Sequence, residues 1–170
     1  MIGVITEKRL VRNYQKLANK EQSKFYDTSK ITTVGVVLED EALIDLVAES
    51  LTTQLPFYRK DIQFVVYKPY VKNQEIAPIC FTEKDIGGDL RLKSDNLKNF
   101  VKNNHDLLIN FTKDSNLYTN VITLLSNAKL KTGYNAVDDR IFDLIIADPT
   151  RNEAVFYKEL KKYLTILNKI

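Results

Sequence analysis

The decapeptide HDLLINFTKD, residues 105–114, is an apolar run that ends in Asn110, Thr112, Lys113 and Asp114 just ahead of a helical pattern. Polar side chains at such a junction can grip a ligand, because alternating strand–helix folds bind beyond the carboxyl ends of their strands. The segment VVLEDEALIDL makes a second junction with Glu39, Asp40 and Glu41, and Asn135 follows the strand-like LKTGY. Glu39, Asp40, Asn110, Thr112, Lys113 and Asn135 are therefore the candidate wall of a crevice, one suited to a small ligand or a phospho-sugar. Asn110, Thr112 and Lys113 are expected at the edge of a central strand.

The chemistry open to these residues is narrow. Nucleotide-binding folds keep glycines at the first junction so that backbone N–H groups can approach phosphate. Here there is no glycine, and Glu39, Asp40 and Glu41 set negative charge where a phosphate would sit. Such acids satisfy the helix dipole themselves and repel a dinucleotide. No GxxxxGK[ST] loop occurs elsewhere. The reading therefore assigns no cofactor and no metal.

Covalent and acid–base sites are equally hard to assemble. His105, the single histidine, precedes its strand and belongs at the amino edge of a sheet, opposite the crevice. Cys80 has no second cysteine for a disulfide or a thiolate metal site and reads as a small buried apolar residue. No Ser-His-Asp set or nucleophile elbow is present. Asp138, Asp139 and Asp148 offer carboxylates, but AVDDRIFDL reads as a turn with Arg140 paired locally, and ADPT as a loop that ends a strand. No residue is assigned a catalytic role.

Charge is more informative. The whole chain carries +3, yet residues 1–30 hold seven basic against three acidic residues, so the remainder is slightly acidic. Lys8, Arg9, Arg12, Lys16 and Lys20 are the candidate docking residues of a basic N-terminal helix. Its partner would be a protein or an acidic surface, RNA included, since Tyr14, Phe25 and Tyr26 interleave with the cations and permit stacking. Self-association through the apolar stripe of that helix is a further option.

These residues must be positioned by a regular scaffold. A chain of 170 residues with 44% hydrophobic content suits one compact domain. Within it, residues 1–30 form the basic helix and linker and residues 31–170 an α/β unit. Helical spacing over residues 6–26 aligns Leu10, Val11, Tyr14, Leu17 and Ala18, with Thr6 as N-cap. TTVGVVLED, DIQFVVYKP, ICFTEKDI, DLLINF, LKTGYNAV and DLIIAD read as strands. EALIDLVAESLTTQL, SDNLKNFVKNN, SNLYTNVITLLSNAK and the segment from about Asn152 onward read as helices. The second helix aligns Leu43, Leu46, Val47, Ser50 and Leu51; the last buries Val155, Phe156, Leu160, Tyr163, Leu164 and Leu167. Gly87 and Gly88 mark a turn. This alternation predicts a Rossmann-like, mostly parallel sheet of five or six strands with helices on both faces and the basic helix added to it. The longest apolar runs are too short to span a bilayer, and MIGVITEKRL lacks a signal-peptide core, so a cytoplasmic location is expected.

Three resemblances accompany this reading. VVLEDEALIDLVAESL resembles the first junction of response-regulator receiver domains, whose acids hold magnesium beside a phosphorylatable aspartate. In this chain that aspartate position is Asn110, and an amide is a poor nucleophile. HDLLINFTKDSNLYTNVITLLSNAKLKTGYN resembles the N-terminal half of heptosyltransferase-type glycosyltransferases, where an AK(R)xxG turn enters a strand. That family binds its sugar nucleotide mostly in a second Rossmann-like half, which this chain is too short to contain. Over nearly its full length, through DLLINF, AKLKTGYN, DDRIFDLII and ELKKYLTILNKI, the chain resembles a family of short bacterial proteins of unknown function. The reading that results is a non-enzymatic interaction module, with a small-ligand or degenerate glycosyltransferase-like or receiver-like crevice as the alternative.

Overall fold

In VGVVL four of five residues are β-branched or leucine, a composition that suits a strand covered on both faces. It forms β1, Val34–Leu38, and every residue of it is buried. Beside it lie β2 (Ile62–Tyr67), β3 (Cys80–Phe81), β4 (Leu107–Asn110), β5 (Leu130–Tyr134) and β6 (Leu144–Ile146). The order across the sheet is β3-β2-β1-β4-β5-β6, and every neighbouring pair is parallel. This is a six-stranded Rossmann-like α/β fold, with its reversal of strand order between β1 and β4. The computed structural model describes residues 2–20, 27–112, 114–135 and 138–170.

Both faces of an all-parallel sheet must be covered, and two helical layers cover this one. Helices α2 (Ile44–Gln54) and α5 (Glu153–Ile166) pack on one face with the core that contains Val36, Phe64, Ile109 and Phe156. Helices α1 (Ile2–Ala18), α3 (Asp95–Lys102) and α4 (Leu117–Leu125) cover the other, around Val37, Phe81, Phe100 and Leu108. Ser94, Asn116 and Asn152 cap α3, α4 and α5 with side-chain oxygens that accept backbone N–H groups. Among the described residues no helix is long and apolar enough to cross a membrane.

Helical periodicity is modified at four places. Helix α1 begins at Ile2, so Thr6 lies inside it and is no cap, and it ends at Ala18; Lys24, Phe25 and Tyr26 lie outside the described residues. Gly88 lies against the first turns of this helix. A Cβ there would stand 3.1 Å from the Thr6 carbonyl oxygen and 3.2 Å from Arg9 Cδ, so its absence lets the first turns of α1 pack down on the Gly87–Gly88 turn. Val11 is 39% exposed, because Leu10, Tyr14 and Ala18 set the inner face one residue away. Leu46 is exposed because a 3₁₀ turn, Glu41–Leu43, precedes α2 and shifts its phase, leaving Val47, Ala48 and Leu51 inward. In α5 the inner ridge is Phe156, Tyr157, Leu160 and Leu164, so Tyr163 and Leu167 fall on the solvent flank.

At the amino edge, one carboxylate joins β1 to β4. Asp106 Oδ2 accepts from the backbone N–H of Thr32 (2.9 Å) and of Thr33 (3.1 Å) and from both hydroxyls, while Oδ1 pairs with Lys129 at 3.0 Å. Burial alone would raise its pKa, but the donors from Thr32, Lys129 and Thr33 outweigh that and hold it well below the usual carboxylate range. His105, next in the chain, is buried against Phe100 and fills the space above Gly35, where a Cβ would lie 2.8 Å from the imidazole. Burial lowers its pKa, so the ring favours its neutral form. One buried cation stands in β5: Lys131 donates to the Leu124 carbonyl at the end of α4 (3.2 Å), and burial pushes its pKa down to about 8 against the pull of Asp143.

Two stability measurements test these groups. Replacing Asp106 by Ala removes the shared acceptor of the exposed Thr32 and half-buried Thr33 donors and is expected to cost about 1–2 kcal/mol in urea denaturation. Because the folded pKa of Asp106 is depressed, its contribution is present above about pH 4 and drains as the pH falls, so Asp106→Asn should flatten the acid limb. Lys131 behaves oppositely: the folded state resists its protonation, so its penalty is full at neutral pH and is relieved as the pH rises from about 8 toward the ordinary lysine value. The stability advantage of Lys131→Met should accordingly shrink by up to roughly 3 kcal/mol across that window. A constant advantage would contradict a desolvated ammonium.

Candidate functional site

At the carboxyl edge the first crevice lies between β1 and β4, where strand order reverses. The chain itself closes it. Asn116 caps α4 by accepting from the N–H groups of Tyr118 and Thr119, and its amide donates to Glu39 Oε1 at 2.9 Å. The arms that follow β1 and β4 are thus tied together across the helix N-terminus that would otherwise receive a phosphate. Asp40 accepts from the Ala42 N–H and starts the 3₁₀ turn, and Glu41 is ion-paired with Lys68. The Lys68 hydrogen bond is the largest cause of the lowered Glu41 pKa. Tyr67 and Tyr118 stack beside this crevice at 5.2 Å, and the Tyr67 hydroxyl donates to Glu83.

The six crevice candidates do not share one wall. Asn110 is buried under α4, donating to Thr123 Oγ1 at 3.0 Å, and its Oδ1 has no hydrogen-bond partner. With Thr112 and Asn135 it lines a cavity of about 10 Å³, room for about one water. Glu39 and Asp40 do not reach that cavity, and Lys113 lies outside the described residues. Asn135 adopts a left-handed backbone (φ 50°) and its amide is fully engaged: it accepts from the Asp148 N–H and donates to the Asp148 carbonyl. Asp148 in turn accepts from Thr150 and Asn152, and the Thr150 hydroxyl heads the bonds that lower its pKa. Cys80 is buried, and burial, with Glu41 adjacent, pushes its thiol up to about 11, far from a reactive thiolate. No group of three or more metal-type ligands occurs among the described residues.

Beside that small cavity lies a groove of about 190 Å³ bounded by Leu43, Phe111, Tyr134, Asn135, Arg151 and Glu153. Five of these residues carry no motif. Arg151, at φ 53°, holds a left-handed conformation that more often falls to glycine; ADPT reads as the loop that ends a strand, but no sequence signal points to Arg151 itself.

The basic face is arranged differently. Leu10, Tyr14 and Ala18 bury one side of α1, and three contacts lock it in place. Asn13 donates to the Gly88 carbonyl at 2.7 Å. The Tyr14 hydroxyl donates to Asp138, and Arg140 bridges Asp138, Gln15 and Asn19. Burial, then Asp138, raises the Tyr14 pKa, while the Arg140 hydrogen bond lowers that of Asp138. Lys8, Arg9, Arg12, Lys16 and Lys20 are all exposed. Of these, Arg9 stands near enough to Asp89 to help lower its pKa; Lys8, Arg12, Lys16 and Lys20 pair with no described residue. Arg140 was legible as a local partner of Asp138, but its reach to α1 was not.

The fold and these surfaces define an α/β domain whose first crevice is bridged by Glu39 and Asn116, with an N-terminal basic helix packed on the sheet. The chain belongs to DUF6913, a family of unknown function whose profile matches residues 5–167. No curated protein and no solved structure matches it, and the local likeness of residues 105–135 to heptosyltransferase-type enzymes has no support among these comparisons.

The tie between Glu39 and Asn116 makes a direct prediction. Calorimetry with ATP, NAD or a sugar nucleotide should give affinities no tighter than about millimolar, worth roughly 4 kcal/mol. Micromolar binding in the absence of metal would contradict a crevice closed by its own acids.

Proposed function

We propose that this protein is a non-enzymatic docking module of the cytoplasm, whose α/β body holds α1 so that its basic outer face meets an acidic protein partner. One observation carries the reading: Lys8, Arg12 and Lys16 recur every four residues as an exposed ridge, unpaired among the described residues, on a helix whose opposite face is buried. A fixed helix presents its charges without the ordering cost a flexible tail would incur on binding. Val4, Ile5 and Val11, 57%, 67% and 39% exposed, interleave with the cations and supply the apolar contact that protein interfaces use. Tyr14, the one aromatic of α1, is turned inward and engaged with Asp138, so it gives no stacking platform for RNA bases.

The test is a triple charge reversal, Lys8→Glu, Arg12→Glu and Lys16→Glu, compared with the native protein in pull-downs at low and high salt. Stability should change by less than about 1 kcal/mol per site, since these charges are solvated. The native protein should recover acidic partners at low salt and lose them at high salt, and the variant should lose them at both. Recovery of the same partners by both proteins would reduce the ridge to a solubilising surface. Loss of partners after ribonuclease treatment would move the reading to RNA.

A further inference from the structure

We infer that the groove beyond the carboxyl ends of β4 and β5, on the α2/α5 face, binds a small zwitterion with an apolar tail, the chemistry of a free aliphatic amino acid. This site is separate from the basic ridge, which lies on the opposite face of the sheet.

Size bounds the occupant first. At about 190 Å³ the groove slightly exceeds the roughly 150 Å³ cavity that holds a benzene molecule. It falls below the range of about 300–1,000 Å³ typical of drug-sized ligands and is too small to enclose a whole nucleotide. Its floor is apolar: Phe111 and Tyr134 stack at 5.2 Å, with Leu43 beside them.

Charge selects within that size class. Arg151 and Glu153 stand on the rim with opposite charges. A simple anion would meet Glu153, and Asp114 beyond it; a simple cation would meet Arg151. A zwitterion answers both, its carboxylate toward Arg151 and its ammonium toward Glu153, while an aliphatic side chain covers the aromatic floor. The present partner of Arg151 is Asp114 at 3.2 Å, with side chains 59% and 80% exposed, a pair weak enough to yield to a ligand carboxylate.

The rim is also built in advance. Arg151 holds a left-handed backbone (φ 53°), a conformation unfavourable for any residue with a Cβ. Its neighbours impose it: Asp148 accepts from the N–H groups of Thr150 and Asn152, and Asn135, itself left-handed, latches Asp148 to the end of β5. Glycine would relax this turn but would remove the guanidinium.

That last contrast gives the experiment. The full chain is titrated by calorimetry with L-leucine, with 4-methylpentanoate (no ammonium) and with 3-methylbutylamine (no carboxylate). Leucine should bind saturably, and each analogue should be weaker by roughly fivefold, the scale of one exposed ion pair. Arg151→Gly should raise the melting temperature, because it removes strain, and yet weaken leucine by a similar factor. Glu153→Gln should weaken leucine while leaving 4-methylpentanoate unchanged or tighter. The inference is overturned by any one of three results: no saturable leucine binding up to roughly 10 mM, analogues that bind as well as leucine, or a native affinity in Arg151→Gly. Saturable binding of glucose 1-phosphate without leucine binding would overturn it too, in favour of a phospho-sugar site.

Discussion

The pairing of β1 with β4 is the constraint on which the rest of the molecule depends. Strand order reverses there, so the two strands are not joined by any short connection, and their register, Val34 against Leu107 through Val37 against Asn110, needs a fastening of its own. Asp106 supplies it. A single carboxylate that accepts from the N–H and hydroxyl groups of Thr32 and Thr33 fixes where β1 enters relative to β4, and Lys129 secures the loop before β5 to the same point. Slippage by one residue would turn every side chain of a buried strand to the wrong layer, which a sheet covered on both faces does not tolerate.

The same register decides what stands at the opposite edge. With β1 and β4 held level, Glu39 and Asn116 come within hydrogen-bond distance and shut the crevice that folds of this order commonly use for ligands. The surfaces proposed to bind therefore lie elsewhere, the outer ridge of α1 on one face and, on the other, the groove above Phe111 and Tyr134, where the turn organised by Asp148 holds Arg151 in place.

Much of this architecture could be read from residue patterns, because its signals are local. Strands as uniform as VGVVL, a serine ahead of α3 and the paired glycines at 87–88 each specify their own geometry. The partition of the crevice residues was less legible. Asn110 and Thr112 are polar and close to a strand end, so they read as an exposed wall, but both are buried against the small cavity, and strand alternation turns Asn110 under α4, where it meets Thr123. Which face a strand-end residue takes depends on the helix that covers it, and no local pattern carries that information. The latch on α1 was hidden for the same reason: Tyr14 and Asp138 lie far apart in the chain, and Gly88 reads as a turn residue until the helix it admits is in view. Arg151 was invisible because its conformation is imposed by Asp148 and Asn135, against its own preference.

The central claim is that α1 is a fixed part of the body, so that its basic ridge is a surface with a shape and not a mobile tail. Hydrogen exchange of the backbone amides in the free protein measures this directly. The account predicts that amides around Leu10 to Leu17 are protected to nearly the same degree as those of α4, because Tyr14, Asn13 and Arg140 tie the helix to the folded core. Exchange of those amides at the rate of an unstructured peptide, while α4 stays protected, would contradict it.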